Sequence, residues 1–369
     1  MRGAPRILLV DCDQMFVAVA RLVDPEGVGR EPLLVVGGTI ASRGVVCSAS
    51  YEARAFGVRS GMSIARAARL CPKARFVPVP RAACAEKSRE VRAALDRWGP
   101  RVEAASIDEF YLDLTGTEAV YHHEPLAATG VRIREDVLAR TGLRLSIGGG
   151  SNRLIAKLAA ERAKPRPGTS GTGVLVVDPG QEASFLASHQ LADIPGVGPR
   201  LQAKLKASGL VAVSDALPFA ERELVIWLGP NTGRWLYQRI RGVAGASVEP
   251  RGEAKSMSRE ETFATDVGNT DDLETELLRL TTRVCEDLRA EGLAARCVTV
   301  KLRDGDFRTR LASRTLGFPF DADRIAFAVA RELLAKLRAQ RARSARLIGI
   351  GLSRFELARG ANQLSLLEE

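Results

Sequence analysis

The sequence is poor in residues that bind zinc or form disulfides. Its 369 residues include three His and six Cys. The cysteines are scattered, with no C-x-x-C pair. A zinc site is therefore not expected, and the thiols read as the reduced thiols of a cytoplasmic protein. Long apolar runs are missing too. None reaches the ~20 residues that a membrane span needs. The N-terminus carries Arg2 and Arg6 but enters a strand pattern almost at once, which argues against a secretory leader. The run Gly148-Gly149-Gly150 lacks the spacing of a dinucleotide fingerprint, and no acid follows where one should. It reads as a flexible turn needing unusual backbone angles.

What is present is positive charge and paired acids. The net charge of +10 suggests a polyanionic partner. The length allows two or more domains. In residues 106–115, Asp108 and Glu109 stand side by side in an apolar, aromatic run. Strand residues alternate faces, so the two acids cannot both point into a core. Alone, they read as a solvated turn. A second stretch changes that reading. Four apolar residues, Ile7 to Val10, form a buried strand pattern that runs into Asp11-Cys12-Asp13. Bringing the two stretches together gathers three or four carboxylates, and such clusters hold two metals for nucleotidyl transfer.

Together these stretches resemble the catalytic palm of the Y-family DNA polymerases, the lesion-bypass class, and are most similar to its bacterial branch. The resemblance implies a multidomain α+β fold. A ferredoxin-like palm (1–14 and 81–173) would carry fingers (15–80) and a helical helix-hairpin-helix thumb (174–241). A linker (242–255) would lead to a β-α-β-β-α-β little finger (256–357) and a tail (358–369). It implies two Mg²⁺ ions, with Mn²⁺ as a substitute, on Asp11, Asp108, Glu109 and the Cys12 carbonyl. Phe16, otherwise an ordinary core residue, takes the position under the sugar of the incoming dNTP. Met15 stands where the family more often has an aromatic residue.

The remaining motifs follow in order. Tyr51 and Arg54 lie three apart on a short helix closed by Gly57, a phenol and a guanidinium suited to a triphosphate. Residues 44–50 read as a strand before it. Lys164, in Ala163-Lys164-Pro165, would reach the same triphosphate by family analogy; read locally, it is a cation at a helix C-terminus. Residues 191–200 have the shape of a helix-hairpin-helix, with Gly196 and Gly198 letting the backbone approach a DNA phosphate. In the C-terminal region, Lys301, Arg303, Arg308 and Arg310 crowd a hairpin and could track primer–template DNA. Gln363, Leu364, Leu366 and Leu367 are similar to the peptide by which bacterial polymerases dock on a sliding clamp. A monomer without a membrane partner or separate exonuclease domain is expected. Two rival readings are a catalytically inactive DNA- and clamp-binding adaptor, and a nucleotide cyclase on a similar palm. The cyclase leaves the helix-hairpin-helix and the C-terminal region unexplained.

Overall fold

The computed structural model describes residues 4–39, 43–165, 173–249 and 252–358. The chain divides into two compact units, with the boundary near residue 251.

In the first unit, β1 (Ile7–Cys12) is buried along its whole length. Next come α1 (Met15–Val23), β2 (Leu34–Gly37), β3 (Ser48–Ala49), α2 (Tyr51–Ala55), α3 (Ile64–Leu70) and β4 (Arg75–Pro78). The three short strands form a sheet ordered β3-β2-β4. The strand expected over 44–50 is only two residues long. Loop contacts hold the rest: the Val46 amide donates to the Met62 carbonyl, and Val45 bridges Ser63. Gly57 follows α2 at φ 85°, a left-handed position that glycine adopts without strain.

The chain then returns through α4 (Arg81–Leu95), whose Cys84, Val91 and Leu95 are buried. It continues as β5 (Val102–Ala104), β6 (Glu109–Asp113), α5 (Leu126–Thr141), β7 (Leu145–Gly150), α6 (Arg153–Ala163) and β8 (Val174–Val176). These complete a five-stranded sheet ordered β5-β6-β1-β7-β8. Leu8, Val10 and Leu112 pack with α4 and α5 on one face. On the other face Ile7, Leu9 and Tyr111 meet Ala156 and Ala160 of α6.

The three glycines are not a turn. They are the end of β7, and all three are buried. A Cβ on Gly148 would stand 2.0 Å from the Ala160 nitrogen and 2.1 Å from the Ala156 carbonyl oxygen. Their role is close approach: without side chains, the strand lets α6 lie directly on the sheet.

The outer side of α6, through Leu154, Ile155 and Leu158, packs on a helical group. That group comprises α7 (Glu182–Ala187), α8 (Pro199–Ala207), α9 (Val213–Ala216), α10 (Glu221–Leu228) and α11 (Pro230–Arg239). β8 pairs with β7 in parallel, so Val174–Val176 belong to the sheet rather than to the helices. The glycine-bearing stretch after α11 is not a free linker at its start. Asn152 donates to the Gly242 carbonyl at 3.0 Å, the Arg153 amide donates to the Gly245 carbonyl, and Val248 is buried against the sheet.

The second unit runs β9 (Ser256–Val267), α12 (Thr270–Ala290), β10 (Leu293–Asp304), β11 (Thr309–Phe320), α13 (Asp323–Gln340), β12 (Ala345–Leu357). This is the expected β-α-β-β-α-β order, and its antiparallel sheet is ordered β11-β10-β12-β9. Leu277, Val284 and Leu334 of the two helices cover Val298, Val300 and Ile350 on one face.

Candidate active site

Register decides which acids meet. β1 pairs with β6 so that Asp11 lies directly opposite Glu109. Cross-strand partners share a face, so both project on the α6 side. Asp108 precedes β6 in a tight turn. Its carbonyl accepts from the Cys12 amide at 2.9 Å, and its carboxylate accepts from the Ser106 hydroxyl. The Ser106 hydroxyl in turn accepts from the Asp108 and Glu109 amides at 3.2 and 3.1 Å.

Opposed carboxylates on one ladder repel. Two lysines of the α6 segment answer that repulsion. Lys164 stands 2.9 Å from Asp11. Lys157 donates to both oxygens of Glu109 at 2.6 and 2.7 Å. The Asp11 carboxyl is raised to about 6: burial is the largest cause, Lys164 works against it, and Glu109 and Asp108 add to the rise. Burial works to lower the Lys164 pKa, but Asp11 and Glu161 outweigh it and hold the ammonium above its usual range. Burial, with Asp11 and its acidic neighbours, raises the Cys12 thiol well above normal.

A cavity of about 170 Å³ gathers Asp11, Cys12, Phe16, Tyr51, Arg54, Asp108, Glu109 and Lys164. All eight were singled out in the sequence, and the fold brings them together. Arg54 lies 5.6 Å from the centre of the Tyr51 ring and donates its Nε to the Ala49 carbonyl at 3.0 Å, which leaves the fork of the guanidinium for a ligand. Phe16 is half-buried, whereas Met15 beside it is buried in the core. Asp13 does not join the cluster. It accepts from the Ser146 hydroxyl at 2.7 Å and lines a different cavity. Sequence reasoning missed Lys157 and Ser106. The signal for Lys157 was its spacing: seven residues, two helical turns, separate it from Lys164.

As they stand, no three acids, histidines or cysteines among the described residues are set to hold a metal ion. The donor set still fits a hard divalent ion. It offers carboxylate oxygens beside a backbone carbonyl, and the opposed acids already take two cationic partners.

The other expected contacts divide. Gly196 has φ 107°, and a Cβ there would meet the Trp235 ring at 2.5 Å. Gly198 caps α8, with Pro199 as its first residue. Beside them a cavity of about 740 Å³ is edged by Arg200 and Lys204. In the second unit, Lys301 and Arg303 lie on the sheet face away from the helices, opposite Leu311 and Thr309. Lys301 is paired with Glu260 at 2.8 Å. Arg308 is exposed. Arg310 corrects the expectation. It lies opposite buried Leu302, and its guanidinium binds the fully buried Asp304 at 2.8 Å and the Leu337 carbonyl. An arginine that neutralises a buried acid is held by the core and is not free for phosphate. Gln363, Leu364, Leu366 and Leu367 lie outside the described residues.

Comparison with known proteins places the chain in a family. A family model described as the impB/mucB/samB family matches residues 10–161. A second, described as that family's C-terminal domain, matches residues 254–366. Among solved structures, a Y-family DNA polymerase chimera of Dbh and Dpo4 superposes with a TM-score of 0.82 at 24% identity, covering 95% of this chain and 98% of its own. The chain belongs to the Y family of DNA polymerases. Its curated relatives are named DNA polymerase IV. That of Dehalococcoides mccartyi (strain CBDB1) is 36% identical over 95% of this chain and 87% of the relative. That of Methanoculleus marisnigri is 38% identical over 96% and 95%. The comparisons lend no support to an inactive adaptor.

Proposed function

We propose that this chain is a template-directed DNA polymerase that adds dNTPs to a primer 3′ end and copies past lesions without proofreading. The observation that carries the mechanism is the opposition of Asp11 and Glu109 across β1 and β6, beside Asp108 and in one cavity with Phe16, Tyr51, Arg54 and Lys164.

Y-family polymerases use divalent metal ions. Asp11, Asp108, Glu109 and the Cys12 carbonyl are the groups that would hold two Mg²⁺ ions, or Mn²⁺ in their place. When bound, these ions supply a lowered pKa at the primer 3′-hydroxyl and neutralise the triphosphate. Tyr51 and Arg54 grip the triphosphate, one as a neutral donor and one as a forked cation. Lys164 leaves Asp11 for the same phosphates and offsets the charge that builds on the leaving pyrophosphate. Phe16 packs under the sugar. The amides at the start of α8, with Arg200 and Lys204, hold one DNA strand through its phosphates. Lys301, Arg303 and Arg308 track the duplex in the second unit, and Lys301 must exchange Glu260 for phosphate to do so. The tail residues Gln363, Leu364, Leu366 and Leu367 dock on a sliding clamp. The protein acts as a monomer in the cytoplasm; no helix among the described residues is long and apolar enough to cross a membrane.

The test is primer extension with each dNTP on undamaged and damaged templates. Asp108→Ala should lose at least about a hundredfold in rate, the scale on which electrostatic groups act in catalysis. Duplex affinity measured without divalent metal should stay near that of the wild type, because most of the charged DNA contacts lie on α8 and in the second unit. Extension by Asp108→Ala at near wild-type rates would overturn the site.

A further inference from the structure

Lys157 has no task in the mechanism above, yet its ammonium satisfies both oxygens of Glu109. Lys164 stands in the same relation to Asp11. Asp11, Asp108 and Glu109 therefore face two ammonium groups, one of which, that of Lys164, is shared with Glu161. A divalent ion gains less from acids that already hold cations, and to take Glu109 it must displace Lys157.

Lys157 also reaches a second cavity. It lines a space of about 330 Å³ between α6 and the helical group, together with Tyr111, Arg153 and Arg239. Arg153 is fixed there. Both oxygens of Glu103 accept from its guanidinium, which lies 4.1 Å from the centre of the Tyr111 ring. Among the described residues, Lys157 makes its ion pair with Glu109 alone, and its side chain is 36% exposed. A flexible four-carbon stem can turn that ammonium from the acid into the cavity. With the Lys157 ammonium turned in beside Arg239, the cavity would suit a backbone phosphate.

We infer that Lys157 is a transferable counter-ion: it holds Glu109 in the free protein and passes to a phosphate of the primer strand when duplex enters, freeing Glu109 for a divalent ion. The inference rests on the polymerase reading. Its consequence is a linkage. Duplex tightens metal binding, and metal tightens duplex binding by the same factor.

The probe is Mn²⁺, titrated calorimetrically into the full chain without nucleotide. The titration is run with and without a primer–template duplex whose primer ends in a dideoxynucleotide. In the wild type, duplex should tighten Mn²⁺ binding by about tenfold, within the usual range of coupling between sites. Lys157→Met should bind Mn²⁺ more tightly than the wild type in the absence of duplex, and duplex should then add little. Lys157→Arg keeps a cation and should restore the dependence on duplex, which a loss of packing alone would not explain. If Lys157→Met does not fold, as judged by its melting curve, Lys157→Gln takes its place. Equal Mn²⁺ affinity of wild type and Lys157→Met, with an equal gain from duplex, overturns the inference. Wild-type primer extension run in parallel separates the two levels. Extension with equal affinities sinks the counter-ion alone, whereas no extension sinks the polymerase reading beneath it.

Discussion

Phe16 lines the cavity beside Asp11 and Tyr51 and is half-buried there. A rigid ring against C2′ of the incoming sugar would exclude a 2′-hydroxyl by contact, without any hydrogen bond. Phe16→Ala should therefore raise the use of ribonucleotides relative to deoxynucleotides by a factor on the order of 10²–10³, about 3–4 kcal/mol of differential transition-state energy. The measurement is kcat/KM for matched rNTP and dNTP in both proteins. The Leu variant should show the smaller effect. An unchanged ratio would make Phe16 a core residue and nothing more. The residue scale also shows what composition hides. Four basic side chains of one hairpin look alike in the sequence, yet Arg310 is spent on buried Asp304 while Arg308 is exposed.

At the scale of elements, the contact between β7 and α6 positions the chemistry. α6 brings Lys157 to Glu109, and its C-cap residue Lys164 reaches Asp11. It can do so only because Gly148 leaves no Cβ between strand and helix. The obstacles to a Cβ there are backbone atoms, which cannot move aside as a side-chain tip can. Gly148→Ala should cost about 3 kcal/mol of stability, the upper part of the range for overpacking a core. Gly198→Ala is the comparison. It has no atom within 4 Å of its would-be Cβ and no positive φ, so its stability should change by less than about 0.5 kcal/mol. Its duplex affinity should fall if the α8 amides approach a phosphate. Chemical denaturation measures the first pair of effects and duplex titration the second. A Gly148→Ala protein as stable as the wild type would mean that α6 sits further from the sheet than described.

At the scale of the whole molecule, a net charge of +10 favours contacts to the phosphates of a duplex, and such binding weakens with salt. A tether to a clamp raises the local concentration of primer end without any new contact at the active site. Deleting residues 363–369 should leave unassisted synthesis unchanged and abolish stimulation by a bacterial sliding clamp. Synthesis by both forms, measured with and without clamp, is the check. Equal stimulation would remove the tail from the clamp assignment.

Much of this protein was legible in the sequence, because much of it is local. The alternation of strand and helix patterns in the second unit needs only a window of a dozen residues, and its element order came out as expected. The acids, Tyr51 and Arg54 stood out as short motifs, since each motif keeps its own neighbours together, whereas Phe16 and Lys164 were placed only by resemblance to the family. What the sequence could not settle depends on partners far apart in the chain. The opposition of Asp11 and Glu109 is a matter of strand register, and a slip of one residue would send them to opposite faces. The hold of Lys157 on Glu109 spans 48 positions, so neither segment by itself shows which acid that lysine meets. The three glycines looked like a turn because their local signal is backbone freedom. Only the packed helix shows that the absent side chains, rather than the free angles, are what the fold requires.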